Sequence, residues 1–201
     1  MTIPRFYVPG PWTSDRITFP EKASHHAMRV LRMRNGDEAE VFDGEGRTAR
    51  GRTEFSSEGT VLIAESYPEH GRESPLFITL AQAFVSPDKM EWITEKAVEA
   101  GASRIVFFPA ARSVTKLSGD KLTKRLEKLR ATAVSACEQC GRSRIPEIET
   151  FASAEAMLSG LNADARVILA PSSDPGLALG AARSVVFAVG PEGGFSEEEL
   201  T

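Results

Sequence analysis

The chain has 201 residues with a formal net charge of −4, 41% hydrophobic and 26% charged residues, and two cysteines. That balance describes a folded globular protein rather than a disordered or fibrous one. No run approaches the about 18 apolar residues of a membrane-spanning helix, and residues 1–20 lack the charged-then-apolar layout of a signal peptide. A cytoplasmic protein with reduced thiols and no membrane attachment is expected.

Residues 1–66 read as a small β-rich unit. Arg5-Phe6-Tyr7-Val8 is a short strand and Ile17-Thr18-Phe19 another. Residues 21–33 form a helical interval that carries His25, His26, Arg29 and Arg32, with Arg34 just beyond. Strand-like runs at 38–42, 48–55 and 59–65 follow, the first two joined through the hairpin signal Phe42-Asp43-Gly44-Glu45-Gly46. Short strands at this spacing predict a small barrel. His25 and His26 have no Cys or acidic partner at ligand spacing, so no metal is expected. Residues 67–75, polar and bracketed by prolines, are a linker.

From residue 76 to 201 the rhythm becomes strand–helix–strand. Residues 76–84 are an apolar strand. Ser86 with Pro87 opens a helix that Gly101 closes, and residues 105–108 are the next strand. A basic helix spans about 119–140, with Leu122, Leu126, Leu129, Ala133 and Ala136 on one stripe and Lys121, Lys124, Arg125, Lys128 and Arg130 largely outside it. Shorter elements follow: a strand at 145–148, a helix at 153–158 and a strand at 166–170 that ends in Ala170-Pro171. The apolar run 185–189 is a strand covered on both faces, and it opens into Gly190-Pro191-Glu192-Gly193-Gly194-Phe195. Ser196 with Glu199 is a capping box that starts a further helix. The whole is an α/β chain with a β-rich front.

Three glycines, a proline and one carboxylate between a buried strand and a helix start make a ligand loop or a tight turn that merely needs positive φ. The ends of 166–170 and 185–189 could lie side by side and form a crevice for a nucleoside. The net charge hides its distribution: residues 111–144 carry nine Lys/Arg against three Asp/Glu, and residues 145–201 two against nine. The basic stretch is either a surface for a polyanion or a solvated helix face. Cys137 and Cys140 lie at a helix end with no further ligands at metal spacing, so they read as small buried residues. Glu138, Gln139 and Arg142 beside them could hold a base edge or a phosphate.

The motifs together resemble the RsmE-type ribosomal RNA methyltransferases, which make 3-methyluridine in small-subunit (16S) rRNA. The matching pieces are Arg5-Phe6, His25 with Val30-Leu31-Arg32, Gly36-Asp37, Phe42-Asp43-Gly44, Lys96 through Gly101, Glu138-Gln139 with Arg142 and Pro146, and the Gly-Pro-Glu-Gly-Gly loop. The resemblance implies a PUA-like RNA-binding β-barrel, then a SPOUT methyltransferase domain with a trefoil knot. It implies S-adenosyl-L-methionine as cofactor, bound by Ala170, Pro171, Gly190, Pro191, Glu192, Gly193 and Gly194, and a homodimer. Glu138, Gln139 and Arg142 would orient the uracil as the catalytic group. Arg5, His25, Arg29, Arg32, Arg112, Lys124, Arg125 and Lys128 would grip the rRNA or small ribosomal subunit. Relative to the family pattern, the C-terminal knot segment after Thr201 is expected to be missing from this chain. Two other readings are a non-enzymatic RNA-binding module and an enzyme acting on a free nucleotide.

Overall fold

The computed structural model describes residues 3–69, 73–170 and 179–200, and Pro171 lies outside them. The chain divides into two compact units: Met1–Glu73 with Cys137–Ile145, and Ser74–Ala136 with Pro146–Thr201.

In the first unit, β1 (Arg5–Tyr7), β2 (Arg16–Thr18), β3 (Glu38–Phe42), β4 (Thr48–Ser56) and β5 (Gly59–Ser66) form a sheet in the order β1-β3-β4-β5-β2. β1 runs parallel to β3, and the other pairs are antiparallel. Alternation decides the faces: β4 reads BBeBeBeie, so one side is buried and the other wet. Phe6 of one edge strand and Phe19 beside the other have ring centroids 5.1 Å apart. The sheet therefore curls around one core, built from Phe6, Val8, Ile17, Phe19, Val41 and Leu62 among others. This is the barrel-like form the strand spacing predicted.

The helical interval 21–33 is not one regular helix. It is α1 (Glu21–His25) continued by a π turn over His26–Val30, in which Leu31 N–H reaches His26 O at 3.0 Å. Arg32 then adopts φ 55°, the left-handed region. Buried Ser24 fixes the helix to β5 through Thr60, their hydroxyls 2.6 Å apart.

The second unit holds an all-parallel sheet in the order β8-β7-β6-β10-β9, with β6 (Phe77–Ala83), β7 (Arg104–Phe108), β8 (Glu147–Thr150), β9 (Ala165–Leu169) and β10 (Ser184–Val189). Its helices are α2 (Pro87–Glu99), α3 (Gly119–Cys140), α4 (Ala154–Gly160) and α5 (Glu197–Leu200). Glycine at φ 89° in position 101 closes the turn after α2. The apolar stripe of α3 is inward as its spacing required: Leu129, Ala133 and Ala136 are buried. β10 is an interior strand, paired on both sides, whereas β9 is at the edge and its Ile168 and Leu169 are exposed. Among the described residues no helix is long and apolar enough to cross a membrane.

Candidate functional site

Strand order decides where a ligand can dock. From β6 the chain runs outward through β7 and β8, then returns on the other side as β9 and β10. The reversal falls between β6 and β10, and in such sheets ligands bind beyond the carboxyl ends at that point. The glycine turn leaves β10 there. The pairing Val189↔Leu169 sets Ala170 and Gly190 at the same end of adjacent strands.

The turn is held from four sides. Gln82, buried at the end of β6, donates its amide to Gly190 O at 3.1 Å and to Ala83 O at 3.0 Å. Lys89 of α2 pairs with Glu192 at 2.8 Å and holds that carboxyl below its ordinary range. Arg112 donates from Nη1 to Gly193 O at 3.0 Å. The capping box closes reciprocally: Ser196 N–H meets Glu199 Oε2 at 2.8 Å, and Glu199 N–H meets Ser196 Oγ at 3.3 Å. Glu199 Oε1 also accepts Ala111 N–H at 2.9 Å. Phe195 stacks on Phe108 with ring centroids 6.4 Å apart and an interplanar angle of 9°. Pro191 and Phe195 are buried, whereas Glu192 and Gly193 are exposed.

Close approach explains the glycines. A Cβ on Gly190 would stand 3.2 Å from Gly194 C and Phe195 N, and one on Gly193 3.3 Å from Arg112 Cβ. Gly194 has φ 70°, with nothing within 4 Å of its absent Cβ, so its Cα borders open space. The turn can therefore present bare backbone to a ligand.

The polar cluster at the end of α3 belongs to the first unit. Glu138 Oε1 accepts Tyr7 N–H of edge strand β1 at 3.0 Å, and burial pushes its carboxyl up. Arg142 is buried and forks onto Glu73, with Nη2 at 2.8 Å and Nε at 3.1 Å from Oε2. Gln139 is exposed. Cys137 is buried, its thiol pushed up to about 12, and neither cysteine is in a disulfide. Among the described residues no group of three or more His, Cys, Asp and Glu could hold a metal.

Of the basic residues expected to face RNA, Arg5 departs from expectation. Its side chain is 11% exposed and lies 2.6 Å from Glu40 Oε1, 2.9 Å from Cys137 O and 4.9 Å from the Phe42 ring centroid. A residue one strand position from the core, with three internal partners, is turned away from solvent. His25, Arg29, Arg32, Arg112 and Lys124 are exposed. Arg125 pairs with Glu91 at 2.6 Å, and Lys128 approaches the same carboxylate at 3.6 Å. Gln82, Lys89, Glu73 and Glu91 were not legible as site residues; only Gln82, polar within an apolar strand, carried a local signal.

Family models match twice: an RNA methyltransferase domain over residues 72–201 and an RNA methyltransferase PUA domain over residues 19–64. The ribosomal RNA small subunit methyltransferase E of Bacillus subtilis is 31% identical over 191 residues, 88% of this chain and 73% of its own length. The chain belongs to the RsmE-type RNA methyltransferase family. An RsmE-type enzyme from Neisseria gonorrhoeae, solved bound to S-adenosyl methionine, superposes with a TM-score of 0.84 at 30% identity, covering 99% of this chain and 84% of that one. A methyltransferase from Legionella pneumophila, in complex with the same cofactor, gives 0.88 at 28% identity over 100% of this chain and 84% of that one. The RsmE-type likeness thus spans both units.

Proposed function

We propose that this chain transfers a methyl group from S-adenosyl-L-methionine to N3 of a uridine in small-subunit (16S) ribosomal RNA. The observation that carries the reading is the glycine turn 190–194, braced beyond the carboxyl end of β10 at the reversal of strand order. Bare backbone beside open space at Gly194 suits a ligand gripped by backbone groups, as the adenosine and methionine parts of the cofactor would be. Ala170, Gly190, Pro191, Glu192, Gly193 and Gly194 would hold it, with Pro171 completing the set. When bound, the cofactor supplies an electrophilic methyl on a sulfonium.

The chain's own task is alignment and control of one proton. Uridine N3 carries a proton and is hidden in base pairs, so the target must be unpaired and presented outward. That proton must leave as N3 attacks, and a positioned acceptor or a cation beside the uracil oxygens assists. Glu138, Gln139 and Arg142 are the groups we assign to orient the uracil. Gln139 is exposed to meet it, while Tyr7 and Glu73 fix its two neighbours. His25, Arg29, Arg32, Arg112, Lys124, Arg125 and Lys128 would grip the RNA backbone through salt-sensitive contacts. Arg5, taken up by Glu40 and the carbonyls of Cys137 and Arg142, would hold the end of α3 rather than touch phosphate.

Residues 1–66 would be the RNA-binding part and 76–201 the methyltransferase part, joined by 67–75. The same reading takes the protein to be a cytoplasmic homodimer that needs no metal, with a trefoil knot around β9 and β10. The insertion of β10 between β6 and β9 supports such a path. Tritium transfer from labelled S-adenosylmethionine to unmodified small-subunit RNA or particles, followed by nucleoside identification, tests it. Label in 3-methyluridine is expected; no transfer, or label in another nucleoside, overturns it.

A further inference from the structure

The described arginines of the first unit differ in what holds them: Arg142 forks onto Glu73, and Arg47 lies over the Trp12 and Tyr67 rings. Arg5, Arg16, Arg50 and Arg52 all pair with carboxylates: Glu40, Glu54, Glu38 and Glu65 lie 2.6 Å, 3.0 Å, 3.0 Å and 3.3 Å away. Arg29, Arg32 and Arg34 make no ion pair with any described residue. Residues 22–36 contain Lys22, His25, His26, Arg29, Arg32 and Arg34 and no acid at all. The flanking Asp37 is occupied, its Oδ2 accepting Arg34 N–H at 2.7 Å.

The same segment exposes apolar side chains that the core does not use. Met28 is 37% exposed, Val30 61% and Leu31 43%, the cluster falling on the π turn and the residue after it. A π turn and a non-glycine residue at positive φ in succession are irregularities that persist where the surrounding structure imposes them, and both concentrate at functional sites. Here they aim the arginines and the apolar groups outward together. Beneath them Met28, Arg29, Met33, Arg34, Asn35 and Phe55 line a groove of about 390 Å³. Asn35 is locked in place, its Oδ1 accepting Phe55 N–H at 2.7 Å, which leaves its amide N–H donors available.

We propose that this groove takes one unpaired RNA base, stacked against Phe55 and the methionine side chains, while Arg29, Arg32 and Arg34 hold the flanking phosphates. Uncompensated positive charge fits a polyanion, and an open groove in which Met28, Met33 and Phe55 stand beside Arg29, Arg34 and the Asn35 amide fits the face and edge of one base; duplex RNA offers only phosphates to it. The ligand is therefore single-stranded RNA. The inference rests on the RNA methyltransferase reading and adds a base-binding site remote from the glycine turn in sequence.

The full chain is titrated with a fluorescent single-stranded RNA of about 12 nucleotides and with the same sequence as a duplex, at several salt concentrations. Tighter binding of the single strand is expected. Met28→Ala, which removes apolar contact without adding charge, should weaken single-strand binding by up to about tenfold, no more than one lost base stack, and leave duplex binding within twofold. Arg29→Ala with Arg34→Ala should lower the salt slope by about 1.4, two phosphates' worth for a single strand. A 4-thiouridine strand photocross-linked to the wild-type chain should map to Met28, Met33 or Phe55, a readout independent of how variants fold. Equal binding of both RNA forms, unaltered variants, or cross-links confined elsewhere overturn the proposal. Methyl transfer to small-subunit rRNA by the wild type, measured in parallel, separates the cases. If transfer occurs and the groove results fail, only the groove falls. If no transfer occurs, the underlying reading falls.

Discussion

Lys89 Nζ lies 2.8 Å from Glu192 Oε1, so the one charged side chain of the glycine turn is tied to α2. Both groups are about half exposed, and such a pair adds little to overall stability. Its effect is local, on where the turn stands. Lys89→Ala should raise the dissociation constant for S-adenosylmethionine about threefold, the scale of one exposed ion pair. Lys89 holds the Glu192 carboxyl below its ordinary range. The tie is therefore complete above the ordinary carboxylate value and lost as pH falls through the lowered one. Calorimetry at pH 7 and in acid should show the variant and wild type converging at low pH; a constant ratio would refute the tie.

A β-branched side chain at 193 would push against the side chain that braces the turn. Its Cβ would meet Arg112 Cβ at 3.3 Å and its methyls would crowd the guanidinium that donates to Gly193 O. Gly193→Val should weaken S-adenosylmethionine at least about tenfold, roughly 1.4 kcal/mol, and leave RNA binding within twofold. Unchanged cofactor affinity by calorimetry would remove the turn from the site.

Glu91 neutralises the basic helix at one place by holding both Arg125 and Lys128. Glu91→Gln should free those cations and raise RNA affinity several-fold at low salt, with a steeper salt slope. Lys121→Glu with Lys124→Glu should do the reverse. If neither change moves RNA binding, the outer face of α3 is solvated surface.

Burial raises the Glu138 carboxyl above its ordinary range, against the opposing hydrogen bond from Tyr7 N–H. Between the ordinary and the raised value the folded chain holds a proton that the unfolded chain has lost, so stability falls as pH rises through that window. Glu138→Gln keeps an oxygen for Tyr7 N–H and cannot ionise. Its melting temperature should equal or exceed that of wild type at pH 7, with the gain vanishing below the ordinary carboxylate range. Loss of methyl transfer in a variant so stabilised would mark the charge as functional. A lower melting temperature at pH 7 would show instead that Lys22, His26 and Arg5 favour the anion.

Local chemistry was legible in the residues. Ser196 and Glu199 cap α5 as their spacing requires, and the stripe through Leu129, Ala133 and Ala136 is buried. What depended on distant neighbours was not legible. Arg5 and Arg29 look alike in the sequence, yet one is spent on Glu40 and the other is not, because β3 brings an acid 35 positions away to the first alone. Arg142 meets Glu73 across 69 positions, and no local pattern encodes that meeting. The π turn after His25 also escaped, since a segment of five residues is too short to show a period of its own.

Glu199 divides its two oxygens, one capping α5 and the other holding Ala111, next to the arginine that reaches Gly193. Two stretches 88 positions apart thus share a single fastener. A lesion at that one codon would surface as slack in both, a compound defect easily mistaken for damage to the glycines themselves.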